Sequence, residues 1–186
     1  MTAPSPAPTA HRTLITGGAR SGKSVVAEHL LSGVPQVACL LPGPIPNAEA
    51  DPEWAARIAI HQARRPAHWL TVETSDLATG IAEARGAVLI DCLGTWVTAV
   101  MDELQGWDAP ESQWRNAFDA RLAGFIRQWT LAAGPLVAVT NEVGMGLVPD
   151  YKSGRLFRDL LGTVNQAVAA ASDDVLLVVA GRTLRL

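Results

Sequence analysis

Charge is scarce in this chain. Asp, Glu, Lys and Arg make up 18% of its 186 residues, against about 25% in an average globular domain. Neither sign dominates, since 15 basic and 18 acidic side chains leave a formal charge of -3. Without a basic excess there is no electrostatic footprint for nucleic acid or for an acidic membrane face. Cysteine is as rare. Cys39 and Cys92 stand apart in apolar runs, which excludes a disulfide framework and suits a reducing, cytoplasmic compartment. No run approaches the ~18 apolar residues of a membrane span. No HExxH or CxxC spacing occurs, which argues against zinc. What the chain has in quantity is apolar side chains, 48% of the total. A single domain of this length buries roughly 70% of its unfolded surface, so an intrinsically disordered chain is excluded.

Residues 1–10 read MTAPSPAPTA, with three prolines and no charged side chain. They lack the basic start and the roughly 7–15-residue apolar run of a signal peptide. A disordered proline-rich tail over residues 1–11 and one domain over 12–186 are expected.

Short apolar runs alternate with longer helical patterns. Thr13–Thr16, Gln36–Leu41, Ala87–Asp91, Leu136–Thr140 and Val175–Ala180 are almost continuously apolar, as strands covered on both faces must be. Leu184–Leu186 reads as a short last strand. Helical patterns fall at Lys23–Leu31, Pro52–Arg65, Asp76–Ala84, Leu93–Leu104, Glu111–Ala132 and Ser153–Ala171. Such alternation predicts a mostly parallel sheet with helices on both faces, and ligands at the carboxyl ends of its strands.

The residues that follow the strands therefore carry the chemistry. After the first strand comes Gly17-Gly18-Ala19-Arg20-Ser21-Gly22-Lys23-Ser24, which fits G-x-x-x-x-G-K-[ST] between a strand and a helix. Its glycines let backbone N–H groups curl around phosphates. Lys23 is placed to neutralise β/γ oxygens and Ser24 to ligate Mg²⁺. The fold class is α/β, a P-loop NTPase-like sheet. Asp91 ends another strand, where it reads either as the partner of Mg²⁺ or as an N-cap of the next helix. Asn141 and Glu142 lead TNEVGMGLVP, a loop whose role composition does not reveal. Gly144-Met145-Gly146 does not extend to GxGxxG.

In DPEWAARIAIHQARRP, from Asp51 to Pro66, Arg57, His61, Arg64 and Arg65 fall at i−4, i, i+3 and i+4 of a helix. Fixed positive neighbours disfavour an imidazolium and keep His61 neutral and nucleophilic, while the same arginines suit a bound phosphate. A solvated basic face is the alternative on spacing alone.

Taken in order, TGGARSGKS, RIxxHxxxRPxxW over Arg57–Trp69, Thr71-Val72-Glu73, DCLGTWVT from Asp91, TNEVGMGLVP from Thr140 and GRLFRDLLGTVNQ from Gly154 resemble one family. It is the bifunctional adenosylcobinamide kinase / adenosylcobinamide-phosphate guanylyltransferase family of cobalamin biosynthesis. The resemblance implies ATP- or GTP-dependent phosphorylation of adenosylcobinamide. GMP transfer from GTP to adenosylcobinamide phosphate follows, through a guanylyl group on a histidine that matches His61. It implies Lys23 as catalytic, Gly17–Ser24 as the phosphate site, and Arg64, Arg65, Glu73 and Asp91 as nucleotide contacts. Ser24 and Asp91 would hold Mg²⁺, in a cytoplasmic homotrimer. On the residues alone, a P-loop kinase for another small alcohol and a non-catalytic nucleotide-binding module compete with it. The chain departs from the family at Cys39-Leu40-Leu41-Pro42-Gly43, where many relatives carry Tyr-x-Ala-Thr and where the Gly43 backbone stands in, and at Thr98-Ala99, where many carry Thr-Asn. Trp54, Trp69 and Trp96 read as core packing, with a corrin face as the alternative partner.

Overall fold

The computed structural model describes residues 10–44, 49 and 51–186, except for the side chains of Trp54, Arg57 and His61. Seven strands form one sheet: β1 (Arg12–Gly17), β2 (Val37–Leu41), β3 (Leu70–Glu73), β4 (Ala87–Asp91), β5 (Leu136–Val139), β6 (Asp174–Val179) and β7 (Arg182–Arg185). Their order is β3-β2-β4-β5-β1-β6-β7. All neighbours are parallel except β6 and β7, which close antiparallel at the edge. The helices are α1 (Lys23–Leu31), α2 (Pro52–Arg64), α3 (Leu77–Glu83), α4 (Leu93–Glu103), α5 (Glu111–Leu131) and α6 (Lys152–Ala170).

The continuous apolar strands split their side chains between two cores, because successive residues point to opposite faces. Leu14, Leu40, Val88, Ile90 and Ala138 pack with α3–α6 around Trp96, Phe118, Phe125 and Trp129. Ile15, Cys39, Leu89, Val137 and Val139 pack on the other face with Ala27 and Leu31 of α1 and with Trp69. Trp69 and Trp96 are therefore core residues, and Trp96 also donates from its indole Nε1 to the Ser75 carbonyl at 2.9 Å. Trp54 lies outside the described side chains.

The expected strands and helices are present, with ends shifted by at most one residue except for the last strand, which starts two residues early at Arg182. One strand escaped the apolar pattern. In β3, Leu70, Thr71 and Glu73 are exposed, because this edge strand pairs on one side only, with β2. An edge strand needs no continuous apolar run. Helix α2 stops at Arg64 rather than Arg65, since Pro66 drives the residue before it out of helical geometry. Of the tail expected over residues 1–11, residues 1–9 lie outside the described residues, while the His11 carbonyl already accepts from the Leu136 N–H at 2.8 Å.

No helix among the described residues is long and apolar enough to cross a membrane. One strand, β5, separates β1, which delivers the glycine-rich loop, from β4, which delivers Asp91. That order sets the site at the carboxyl edge of three adjacent strands.

Candidate functional site

The loop after β1 turns sharply at Gly17, where a Cβ would collide with the Val178 carbonyl of β6. Arg20 and Gly22 take positive φ, at 56° and 100°. Gly22 is also the N-cap of α1 and, as a glycine, brings no side chain to cap it. Its first N–H groups therefore stay available to an anion at the positive end of the helix dipole. The turn between β6 and β7 braces the loop from outside, with the Gly181 N–H donating to the Ser21 carbonyl at 2.8 Å.

Lys23 is buried, and its Nζ donates to the Gly18 carbonyl at 2.9 Å. Burial lowers its pKa, while the Cys92 thiol and the Asp91 carboxylate pull it back up. A cleft of about 600 Å³ opens beside it, lined from the loop by Ala19–Ser24, from β4 and α4 by Asp91, Cys92 and Thr95, and from β5 by Val139 and Asn141. Ile58, Ile60, Arg64 and Arg65 close it from the α2 side. A smaller hollow continues past Leu41, Ile58, Asp91 and Thr95 to Gly43 and Glu73.

The arginines diverge. Arg64 pairs with Glu28 of α1, Nη2 to Oε1 at 3.1 Å. Arg65, just past the helix end, turns inward until only 6% of its side chain is exposed, and its Nη2 lies 3.4 Å from Asp91 Oδ2. Among the described residues, its Nε and Nη1 are buried without a hydrogen-bond partner, as is the Ser21 hydroxyl. Buried donors are normally satisfied, so these three define where an acceptor belongs. Asp91 does not cap α4; Cys92 is the N-cap, in a reciprocal box with Thr95. Burial raises the Cys92 thiol pKa.

The structure thus gathers Ala19–Ser24, Arg64, Arg65 and Asp91 around one cleft and sets Glu73 in its extension. Gly17 and Gly18 shape the loop without lining it. His61 and Arg57 belong to α2, whose Ile58, Ile60 and Arg64 face the cleft, but their side chains lie outside the described residues. Asn141, Cys92 and Thr95 went unassigned in the sequence reading. So did Asn165 of α6, whose amide accepts from the Thr140 hydroxyl at 2.7 Å and donates to the Asn141 carbonyl at 3.2 Å. The only sequence signal for these four was their place in the quoted motifs.

A hydroxyl (Ser24) and a carboxylate (Asp91) on the same cleft are hard oxygen donors. They match the one or two protein ligands that Mg²⁺ takes when phosphates and waters complete its shell, so the residues fit that ion.

Among solved structures, the chain is similar to a prototypical ATPase from a type III secretion system of pathogenic bacteria. The TM-score is 0.58 at 11% identity, covering 91% of this chain and 51% of that one. The assembled ATPase EscN of enteropathogenic E. coli matches at a TM-score of 0.54 and 10% identity, covering 92% and 43%. At such identities the likeness concerns the fold alone, and this chain spans about half of each ATPase.

Similarity in sequence is closer. The chain is 43% identical to the bifunctional adenosylcobalamin biosynthesis protein CobU of Salmonella typhimurium, over 90% of this chain and 95% of that protein. It is 40% identical to CobU of Escherichia coli over the same shares. It is 37% identical to CobP of Pseudomonas aeruginosa over 94% and 96%. The profile of the cobinamide kinase / cobinamide phosphate guanyltransferase family matches residues 13–186, and the chain belongs to that family.

Proposed function

We propose that this chain performs both reactions of its family through the cleft at the carboxyl edge of β1, β5 and β4, with His61 carrying the guanylyl group from GTP to adenosylcobinamide phosphate in the second. The observation that carries the reading is the set of orphaned donors. Among the described residues, Ser21 Oγ and Arg65 Nε and Nη1 are buried without partners, beside a buried lysine that donates to a neutral carbonyl. Together with the uncapped start of α1 they suit a polyphosphate and little else.

In the first reaction the triphosphate of ATP or GTP lies along Gly17–Ser24. Lys23 exchanges the Gly18 carbonyl for β/γ oxygens, where charge grows in the transition state. Arg65 offers its free edge to the transferred phosphoryl group. Ser24 and Asp91 would hold Mg²⁺, which when bound supplies charge neutralisation on the phosphate oxygens. The acceptor hydroxyl oxygen of adenosylcobinamide bonds to the γ-phosphorus as the bond to the β-phosphate oxygen breaks; the nucleoside diphosphate leaves and the hydroxyl proton passes to solvent.

In the second reaction an imidazole nitrogen of His61 forms a bond to the α-phosphorus of GTP as the bond to the β-phosphate oxygen breaks, releasing pyrophosphate. The phosphate oxygen of adenosylcobinamide phosphate then takes the GMP and frees the histidine. The resemblance supports this assignment, as does the position of His61 on a helix that borders the cleft. A cytoplasmic homotrimer is proposed on the resemblance, and sedimentation checks the assembly.

Mass spectrometry of the intact protein after incubation with GTP and Mg²⁺ tests the reading. A GMP adduct that is labile in acid and stable in alkali is expected. Its absence from a protein that still phosphorylates adenosylcobinamide would reduce the function to a kinase.

A further inference from the structure

We infer that Arg65 is a placeholder cation, holding Asp91 against divalent metal until a nucleotide phosphate draws the guanidinium away, so that metal enters with or after the nucleotide. The inference rests on the nucleotide reading of the cleft given above.

The pairing between the two side chains is one-sided. Arg65 reaches Asp91 by Nη2 alone, at 3.4 Å from Oδ2, where a guanidinium and a carboxylate often meet through two parallel bonds. Its other edge, Nε and Nη1, is buried and has no hydrogen-bond partner among the described residues, and both side chains are nearly sequestered, at 6% and 11% exposure. A guanidinium cannot shed its charge when buried. Its remaining donors are best met by an anion, and the cleft they line is the one formed by the phosphate loop.

The carboxylate has the opposite circumstance. Among the described residues lining that cleft, Asp91 is the only acidic side chain, and the cleft also carries Arg20, Lys23, Arg64 and Arg65. A bare dication approaching Asp91 meets the charge of Arg65 held against one carboxylate oxygen, with Lys23 close enough to feel the carboxylate. A triphosphate reverses this. Its oxygens satisfy the empty edge of Arg65 and compete for the whole guanidinium, and its negative charge offsets both cations while the carboxylate is released. Arg65 thereby acts as a positioning residue for the metal in addition to touching phosphate.

Mn²⁺ titration of the nucleotide-free protein, read by the electron paramagnetic resonance of the free ion, tests the charge competition. Arg65→Met should tighten Mn²⁺ binding by roughly tenfold or more, because a unit charge beside the site is removed. The gain should vanish in Arg65→Met/Asp91→Asn, and Arg65→Lys, which keeps the charge, should stay near the parent. An unchanged affinity in Arg65→Met, or a gain that survives Asp91→Asn, overturns the inference. A second measurement needs no change at Arg65. In GTP titrations with EDTA, Asp91→Asn should bind GTP several-fold tighter than the parent, because the neutral amide no longer competes for the guanidinium. Equal or weaker binding overturns the inference even if Arg65→Met does not fold. A parent protein that binds GTP neither in EDTA nor with Mg²⁺ overturns the nucleotide reading of the cleft, and the inference with it.

Discussion

Lys23 Nζ sits 2.9 Å from the carbonyl oxygen of Gly18, five residues earlier in the same loop. The lysine thus folds back over the loop that it serves, and its ammonium is satisfied by a neutral acceptor that a phosphate oxygen outcompetes. This contact ties the conformation of the glycine-rich turn to the charge meant for the nucleotide.

Replacing the lysine tests that link. Lys23→Met should lower the rate of adenosylcobinamide phosphorylation by about 10²–10³ at saturating nucleotide, the range for losing one electrostatic contact to developing charge. Wild-type rates would show that the loop binds no reacting phosphate.

His61→Ala should separate the two reactions. Guanylyl transfer should fall to background and the GMP adduct should disappear from the mass spectrum, since the nucleophile is gone. Phosphorylation, which needs no enzyme nucleophile, should continue at close to the parent rate. A persisting adduct would move the assignment to another residue, His68 first.

At Gly17 the obstacle is backbone, not a side chain that could swing aside. A methyl group there meets the Val178 carbonyl, with Ser21 Oγ at 2.8 Å on its other flank. Gly17→Ala should cost about 1–3 kcal/mol of stability by overpacking and should raise the Kd for GTP. Unchanged melting and unchanged nucleotide affinity together would mean that the loop tolerates another path.

Asn165 holds the end of β5 from α6, and the orientation of its amide follows from its partners, a hydroxyl on one side and a carbonyl on the other. Asn165→Leu would strand the fully buried Thr140 hydroxyl at about 1–3 kcal/mol. It would also loosen Asn141, which lines the cleft. We expect a lower Tm and a kcat/KM reduced on the order of tenfold to 10² through misplacement alone. A variant with a lower Tm and full kcat/KM would confine Asn165 to stability.

The pH dependence has a defined sign. Cys39 lies in the core beneath the cleft, and burial pushes its thiol from 9.0 up to about 11, more than the nearby Arg65 pulls it down. The native state therefore keeps a proton that the unfolded chain releases, so stability from this group is complete below about pH 9 and is lost as pH climbs toward 11. Cys39→Ala should flatten this part of the decline in melting temperature relative to the parent, a difference of order 2–3 kcal/mol across the window. Parallel pH profiles for the two proteins would show that Cys39 does not contribute.

What the sequence alone determined is what short-range rules encode. The phosphate loop was legible because glycine spacing, a lysine and a strand–loop–helix setting are all local. Helix α1 falls at its expected bounds, and the central strands of the sheet could be read from their apolar runs, since both faces of a central strand must be covered. The edge strand β3 was not legible, because residues exposed on both of its faces, Leu70 on one and Thr71 and Glu73 on the other, remove that signal.

Tertiary structure alone decided which polar groups meet. Arg64 and Arg65 are adjacent in the chain, yet one binds Glu28 on α1, 36 residues away, and the other binds Asp91 at the end of β4, 26 residues away. Spacing on a helix put them on one face; the helix end before Pro66 separated them. Asp91 reads from sequence as a cap or a metal partner, and only the register that makes Cys92 the N-cap turns its carboxylate toward Arg65. The physical reason is range. Hydrogen-bonded turns and periodic burial are settled within a few residues, whereas a charge finds its partner only after the strand order β4-β5-β1 has brought distant segments to one edge of the sheet.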